Sequence, residues 1–194
     1  MESLTSPGEP RIGLAEVPLV LWDFVKSDFS TFVLPSTAFG FLGALAAPKL
    51  TEFPQSPSIG ALLIRAVPRT LLFNTGNLLV FDIANQRLPE SVDEDSVNKP
   101  WRSLPRGRIN PTQARRLLLG TVPAVLAGSA MLGVGAESGL ILLLTWMYND
   151  LGGGDELTRD PIIAVAYVAF LVSSLHIAML STPVFQSPGI NGWG

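Results

Sequence analysis

Apolar residues along this 194-residue chain gather into five helix-length runs, and most of the charged residues fall between them in one dense segment. Phe29 to Pro48 is 20 residues without a charge and Ile162 to Leu180 is 19, close to the roughly 20 needed to cross a bilayer core. Ile59 to Phe81 is long enough but contains Arg65 and Arg69. Leu117 to Leu132 and Ala136 to Tyr148 are shorter and read as a hairpin, with Glu137 near the start of the second run. The pattern predicts an all-α chain, an integral membrane bundle of about five transmembrane helices. A single transmembrane domain over 29–181 would lie between an N-terminal segment, 1–28, and a C-terminal tail, 182–194.

The second run is the unusual one. At about 100° per residue, Asn74, Asn77, Asp82 and Asn85 share one broad helix face, and the two arginines point away from it. A polar stripe therefore leads down the helix into FDIANQ (Phe81 to Gln86). Arginines are costly near a bilayer centre, so Arg65 and Arg69 are expected to be buried in the bundle or to snorkel to its edge. Gly120, Ala124 and Gly128 recur every four positions, a spacing that lets a neighbouring helix approach closely. Pro35, Pro68 and Pro123 are expected kinks.

Composition agrees with a membrane setting: 47% of residues are hydrophobic, 15% are charged and the mean hydropathy is +0.38, against about 25% charged in soluble domains. The N-terminal MESLTSPGEP lacks the basic start and apolar core of a cleavable signal peptide. Basic residues are retained on the cytosolic side. Ten of the 13 (Arg11, Lys26, Arg87, Lys99, Arg102, Arg106, Arg108, Arg115, Arg116 and Arg159) flank the runs on one side, and Lys49 lies on the other. The N-terminus and both polar loops are thus expected in the cytosol. The absence of cysteine excludes sulfur nucleophiles and thiolate metal sites. A net charge of −3, with the bases in one loop, argues against a nucleic-acid partner.

The chemistry lies after the second run. Asp82, Glu94 and Asp95 offer hard oxygen ligands, Asn85 and Gln86 offer neutral ones, and no histidine or cysteine stands nearby to favour zinc. Magnesium suits such a set, because it keeps waters and takes one or two carboxylates plus phosphate oxygens. Next to Lys99, Arg102, Arg106 and Arg108, the acids suggest a site for a diphosphate. A charged loop beside a membrane is also an ordinary structural feature; the order of its residues is what makes it specific.

That order, EDSVNKPWRSLPRGRI (Glu94 to Ile109), resembles the first aspartate-rich signature of the UbiA superfamily of intramembrane prenyltransferases, with Asp95, Asn98, Pro100, Arg102, Pro105, Gly107 and Arg108 matching in order. SDFSTFVLP at Ser27 to Pro35, FDIANQ, and YNDLGGGD at Tyr148 to Asp155 resemble most the fungal branch that includes membrane-bound terpene cyclases. The resemblance, from about Leu21 to about Leu180, implies the first part of a nine-helix fold. It implies an allylic isoprenoid diphosphate substrate held through Mg2+ and a greasy tail in the lipid bilayer. By analogy the catalytic group is Asp95, Asn98, Lys99 and Arg102. Lys99, Arg102 and Arg108 would grip the diphosphate. Asp82, Asn85, Glu94 and Asp95 are the candidate metal ligands, and Tyr148, Asn149 and Asp150 would line the head-group pocket. Counting back by fours from Asp95 meets Ser91 and Arg87, so the usual spacing of acids is broken.

The implied mechanism is ionisation: leaving-group charge is neutralised, and the allylic cation either meets an acceptor, as in a transferase, or folds back on its own double bonds, as in a cyclase. Phe39, Phe41, Trp146 and Tyr148 are candidates to shield it, although aromatics in such helices more often pack or anchor. YNDLGGGD lies only two runs after Asp95, too early for the family's second acidic motif, which is expected beyond Gly194. The alternative is therefore a truncated, non-catalytic UbiA-like membrane protein that lacks that motif. His176 is expected to be a packed or hydrogen-bonded bundle residue.

Overall fold

The computed structural model describes residues 13–51 and 56–182; the N-terminal MESLTSPGEP, Arg11 and nearly all of the proposed tail lie outside the described residues. Every regular element among the described residues is helical. Helix α1 runs Val17–Leu50. Helix α2 covers 59–86, as Ile59–Ala61, a π turn at Leu62–Ala66 and Val67–Gln86. A short α3, Pro89–Asn98, follows, then α4 (Pro111–Met131), α5 (Gly135–Asn149) and α6 (Arg159–Leu180). Each of the five apolar runs is a helix. Two helices, α1 and α6, are long and apolar enough to cross a membrane.

The apolar run begins at Phe29, yet the helix begins twelve residues earlier. A second π turn, Phe29–Val33, joins its two parts. Both π turns stand just before a proline, Pro35 and Pro68. Proline has no N–H to give and its ring crowds the preceding turn, so the helix widens by one residue. Leu34 N–H reaches back to the Phe29 carbonyl and Val67 N–H to that of Leu62. The helix thus accommodates the ring within its own backbone.

The Val67–Gln86 stretch of α2 is the hub, packing against α1, α4, α5 and α6. Its stripe is structural along most of its length. Asn74 is fully buried and donates to Thr37 Oγ1 (3.0 Å) and Ser174 Oγ (3.1 Å), tying α2 to α1 and α6. Asn77 donates to the Phe73 carbonyl (3.0 Å) and accepts from Ser138 Oγ of α5 (2.8 Å). In an apolar bundle such groups must find partners within the protein, and here neighbouring helices supply them.

Close helix approach occurs at a different place from the expected one. A Cβ on Gly40 would collide with the Ser174 carbonyl of α6, and one on Gly43 would meet Leu175 at 3.0 Å. Gly120 and Gly128 face open space within the described residues, so the small-residue row on α4 has no neighbour there. Arg65 is exposed, and Arg69 is exposed while donating to Ser181 Oγ at 3.2 Å, consistent with arginines at the bundle's edge. His176 meets Glu137 across α5 and α6, Nδ1 to Oε1 3.2 Å.

Candidate functional site

At the end of the bundle where α1 begins and α2 ends, the segment from Leu88 to Asn110 folds back onto both helices. Pro89 opens α3, and Lys99 closes it with its N–H on the Asp95 carbonyl. A series of tight turns follows, with Gly107 at φ +67°, where a side chain would be strained. Leu104 and Ile109 are buried against Val20, Phe24 and Val25 of α1. The segment ends in a capping box at α4: Asn110 Oδ1 accepts from Gln113 N (2.8 Å) and Gln113 Oε1 from Asn110 N (2.9 Å).

Asp23 of α1 anchors this loop. Its carboxylate accepts from Lys26 Nζ (2.8 Å), Ser103 Oγ (3.3 Å) and the Arg108 guanidinium. Burial pushes its carboxyl up, but the hydrogen bonds and charges of Lys26 and Arg108 outweigh that and hold it below the ordinary value. Asp23 lies on the charged turn before Phe29, outside the apolar run. Arg108 is thereby engaged in fixing the loop.

Asp95 and Arg102 form a buried pair, Oδ2 to Nη1 2.6 Å, each side chain 7% exposed. Glu94 lies on the exposed side of α3, bonded to Asn98 Nδ2 at 3.4 Å. Lys99 is half-buried. The α2 terminus supplies Asp82, Asn85 and Gln86. Asp82 feels the charges of Asp28, Arg102 and Lys99, and Gln86 lies within hydrogen-bonding reach of it. Gln86 also donates to the Phe24 carbonyl at 3.0 Å. Two buried oxygens, Asp82 Oδ2 and Gln86 Oε1, accept no hydrogen bond.

The YND segment meets the same terminus. Asn85 Nδ2 donates to Asn149 Oδ1 (3.1 Å), Asn149 Nδ2 to the Thr145 carbonyl (2.9 Å), and Arg87 pairs with Asp150. Tyr148 packs on Phe81 with ring centroids 5.4 Å apart. Phe39 and Trp146 are exposed. A separate aromatic cluster joins α1, α2 and α6: Phe73 and Phe170 are buried, Phe32 packs on Phe170, and the exposed Tyr167 packs on Phe32. Tyr167 and Phe170 share a face of α6, three residues apart, but nothing in the sequence spacing brings them to Phe32 or Phe73.

Asp23 and Asp28 join this end of the bundle because α1 begins at Val17, before Phe29, which the apolar run does not show. Among the described residues, one surface groove of about 440 Å³ lies away from this segment, lined in part by Ser58, Arg65 and Thr182, and one of about 330 Å³ lies where the segment meets α1 and α4, lined in part by Val20, Ile109 and Gln113.

The donor set fits magnesium in one respect and limits it in another. Unpartnered buried carboxylate and amide oxygens are the hard, neutral-to-anionic donors that this ion takes. Among the described residues no three acids or histidines lie together as a ready cage. A cation here would need water and phosphate oxygens to complete its shell, which is magnesium's habit.

The chain is similar to two terpene synthases. It is 34% identical over 110 residues to the fumagillin beta-trans-bergamotene synthase of Aspergillus fumigatus, a match covering 55% of this chain and 32% of that protein. It is 31% identical over 165 residues to the somaliensene A/B synthase of Streptomyces somaliensis, covering 84% of this chain and 52% of that protein. The chain thus spans about half the length, or less, of these curated relatives. No family model matches it, and no solved structure does.

Proposed function

We propose that this chain is a UbiA-type membrane protein of terpene biosynthesis whose α2–α3 end holds the diphosphate of an allylic isoprenoid, with the prenyl tail lying in the bilayer. The observation that carries the reading is Asp82: a buried carboxyl group with an unpartnered oxygen, in the field of Lys99 and Arg102. A buried polar oxygen without a partner is costly, and a bound cation would provide one. Likeness to two terpene synthases supports the substrate class. The five apolar helices, read as spans of a single domain over 29–181 with the polar end in the cytosol, complete the proposal.

Asp82 and Asn85, one turn apart at the end of α2, would hold magnesium, with Asp95 joining once its pair with Arg102 opens. Bound there, magnesium would supply positive charge to the departing diphosphate. Lys99 and Arg102 add donors on the same side. Arg108 acts at one remove by fixing the loop on Asp23. Tyr148 and Asn149 close the flank, and Asp150 holds Arg87. Glu94 and Asn98, on the outer face of α3, would meet the ligand only if α3 turned.

The test is diphosphate release from farnesyl or geranylgeranyl diphosphate by membranes containing the chain. Release is expected to need magnesium and to be lost in Asp82→Ala and Asp95→Ala; equal rates with and without magnesium would contradict the reading. A second reading, binding without turnover, is favoured by the Asp95–Arg102 pair, in which a proposed ligand and a proposed grip satisfy each other. It predicts magnesium-dependent binding and no release.

A further inference from the structure

We propose that Asn149 is a positioning residue that fixes the side-chain amide of Asn85 in one of its two orientations, with Oδ1 turned to the cation. The inference rests on the proposed role of Asn85, and donors and acceptors fix the orientation. The Thr145 carbonyl can only accept, so the Asn149 group that meets it at 2.9 Å must be the NH2. The oxygen of Asn149 is thereby committed to the other branch, where it faces Asn85 at 3.1 Å. An amide oxygen also only accepts, so Asn85 must present its own NH2 and leave its Oδ1 on the far side. There it accepts no hydrogen bond among the described residues.

The two orientations of an asparagine amide are close to equal in shape, and only the surrounding network chooses between them. For a hard-cation ligand the choice is decisive, because the NH2 face repels the ion that the oxygen face binds. Asn149 is buried near the end of α5, so the relay starts from a helix backbone and does not move with solvent. The Arg87–Asp150 pair lies beside it and joins the same two elements. The arrangement also gives an aspartate-free position a use: a neutral oxygen adds a ligand without adding another negative charge to a region where Asp28 already acts on Asp82.

The experiment is a double-mutant cycle read by Mn2+ binding, followed by electron paramagnetic resonance with inorganic pyrophosphate present, on the full chain in detergent. Asn149→Leu removes the relay. In the parent it is expected to weaken Mn2+ binding about tenfold, the lower end for loss of a group that orients a ligand. In an Asn85→Asp background, where an oxygen stands on both branches, the same change is expected to alter binding less than about twofold, as for uncoupled sites. Equal weakening in both backgrounds, or none in either, would overturn the inference.

A metal-free readout separates this from the function itself. In protein labelled with 15N-asparagine, the Asn85 side-chain NH2 signals are expected to be protected from solvent exchange in the parent and to lose that protection in Asn149→Leu. Unchanged signals would overturn the relay. Absence of any Mn2+ binding by the parent chain would overturn both the metal role proposed for Asn85 and the relay's purpose.

Discussion

Asp95 Oδ2 and Arg102 Nη1 stand 2.6 Å apart in a site from which water is almost excluded, each side chain 7% exposed. The pair spans the end of α3 and the turn after it, so it closes the loop on itself. A buried pair gives little net stability over an apolar one, but removal of one partner leaves a bare charge and costs about 3–5 kcal/mol. Asp95→Ala and Arg102→Ala are each expected to lower the denaturant midpoint strongly. Asp95→Ala combined with Arg102→Ala should cost clearly less than the two single changes added together. Additive losses in detergent unfolding would show that the pair is not coupled.

Asp23 makes stability depend on pH. Its folded value lies below the ordinary 3.8, so its contribution is fully present above the unfolded value and is lost as pH falls through the folded one. Between pH 6 and pH 3 the parent should therefore lose more stability than Asp23→Asn, as read by thermal unfolding at each pH. A parallel decline in the two proteins would count against the anchor.

The α1–α6 contact depends on Gly40. Gly40→Ala would press a methyl on the Ser174 carbonyl, and overpacking of this kind costs about 1–3 kcal/mol. Gly120→Ala meets nothing and should gain up to about 1 kcal/mol from helix propensity. Opposite signs in unfolding assays are the expected result.

Asn74→Leu should destabilise the bundle by about 1–3 kcal/mol, because it leaves the buried Thr37 and Ser174 hydroxyls without their shared partner. A triple change that also makes Thr37→Val and Ser174→Ala should recover part of the loss.

Much of the fold was legible because a hydrophobic run reports its own length and face. The five runs are the five long helices, and the α2 stripe did carry buried asparagines. What a run cannot report is its partner. Gly120, Ala124 and Gly128 have the spacing of a contact row, yet the contact falls at Gly40 and Gly43, since spacing says nothing about which face a neighbour takes. The Asn85–Asn149 bond joins residues 64 apart, and Asp23 meets Arg108 across 85. The π turns before Pro35 and Pro68 were expected only as kinks, because a missing N–H can be accommodated by bending or by widening, and packing decides which.

The central claim is that Asp82 and its neighbours hold a diphosphate with the help of a divalent cation. Its most direct test is equilibrium binding of radiolabelled farnesyl diphosphate to the purified chain in lipid nanodiscs, with and without magnesium. The account predicts saturable, magnesium-dependent binding, competed by inorganic pyrophosphate and weakened about tenfold or more by Asp82→Ala, the scale for loss of a metal-site group. Binding that is unchanged by a chelator and by Asp82→Ala would contradict it.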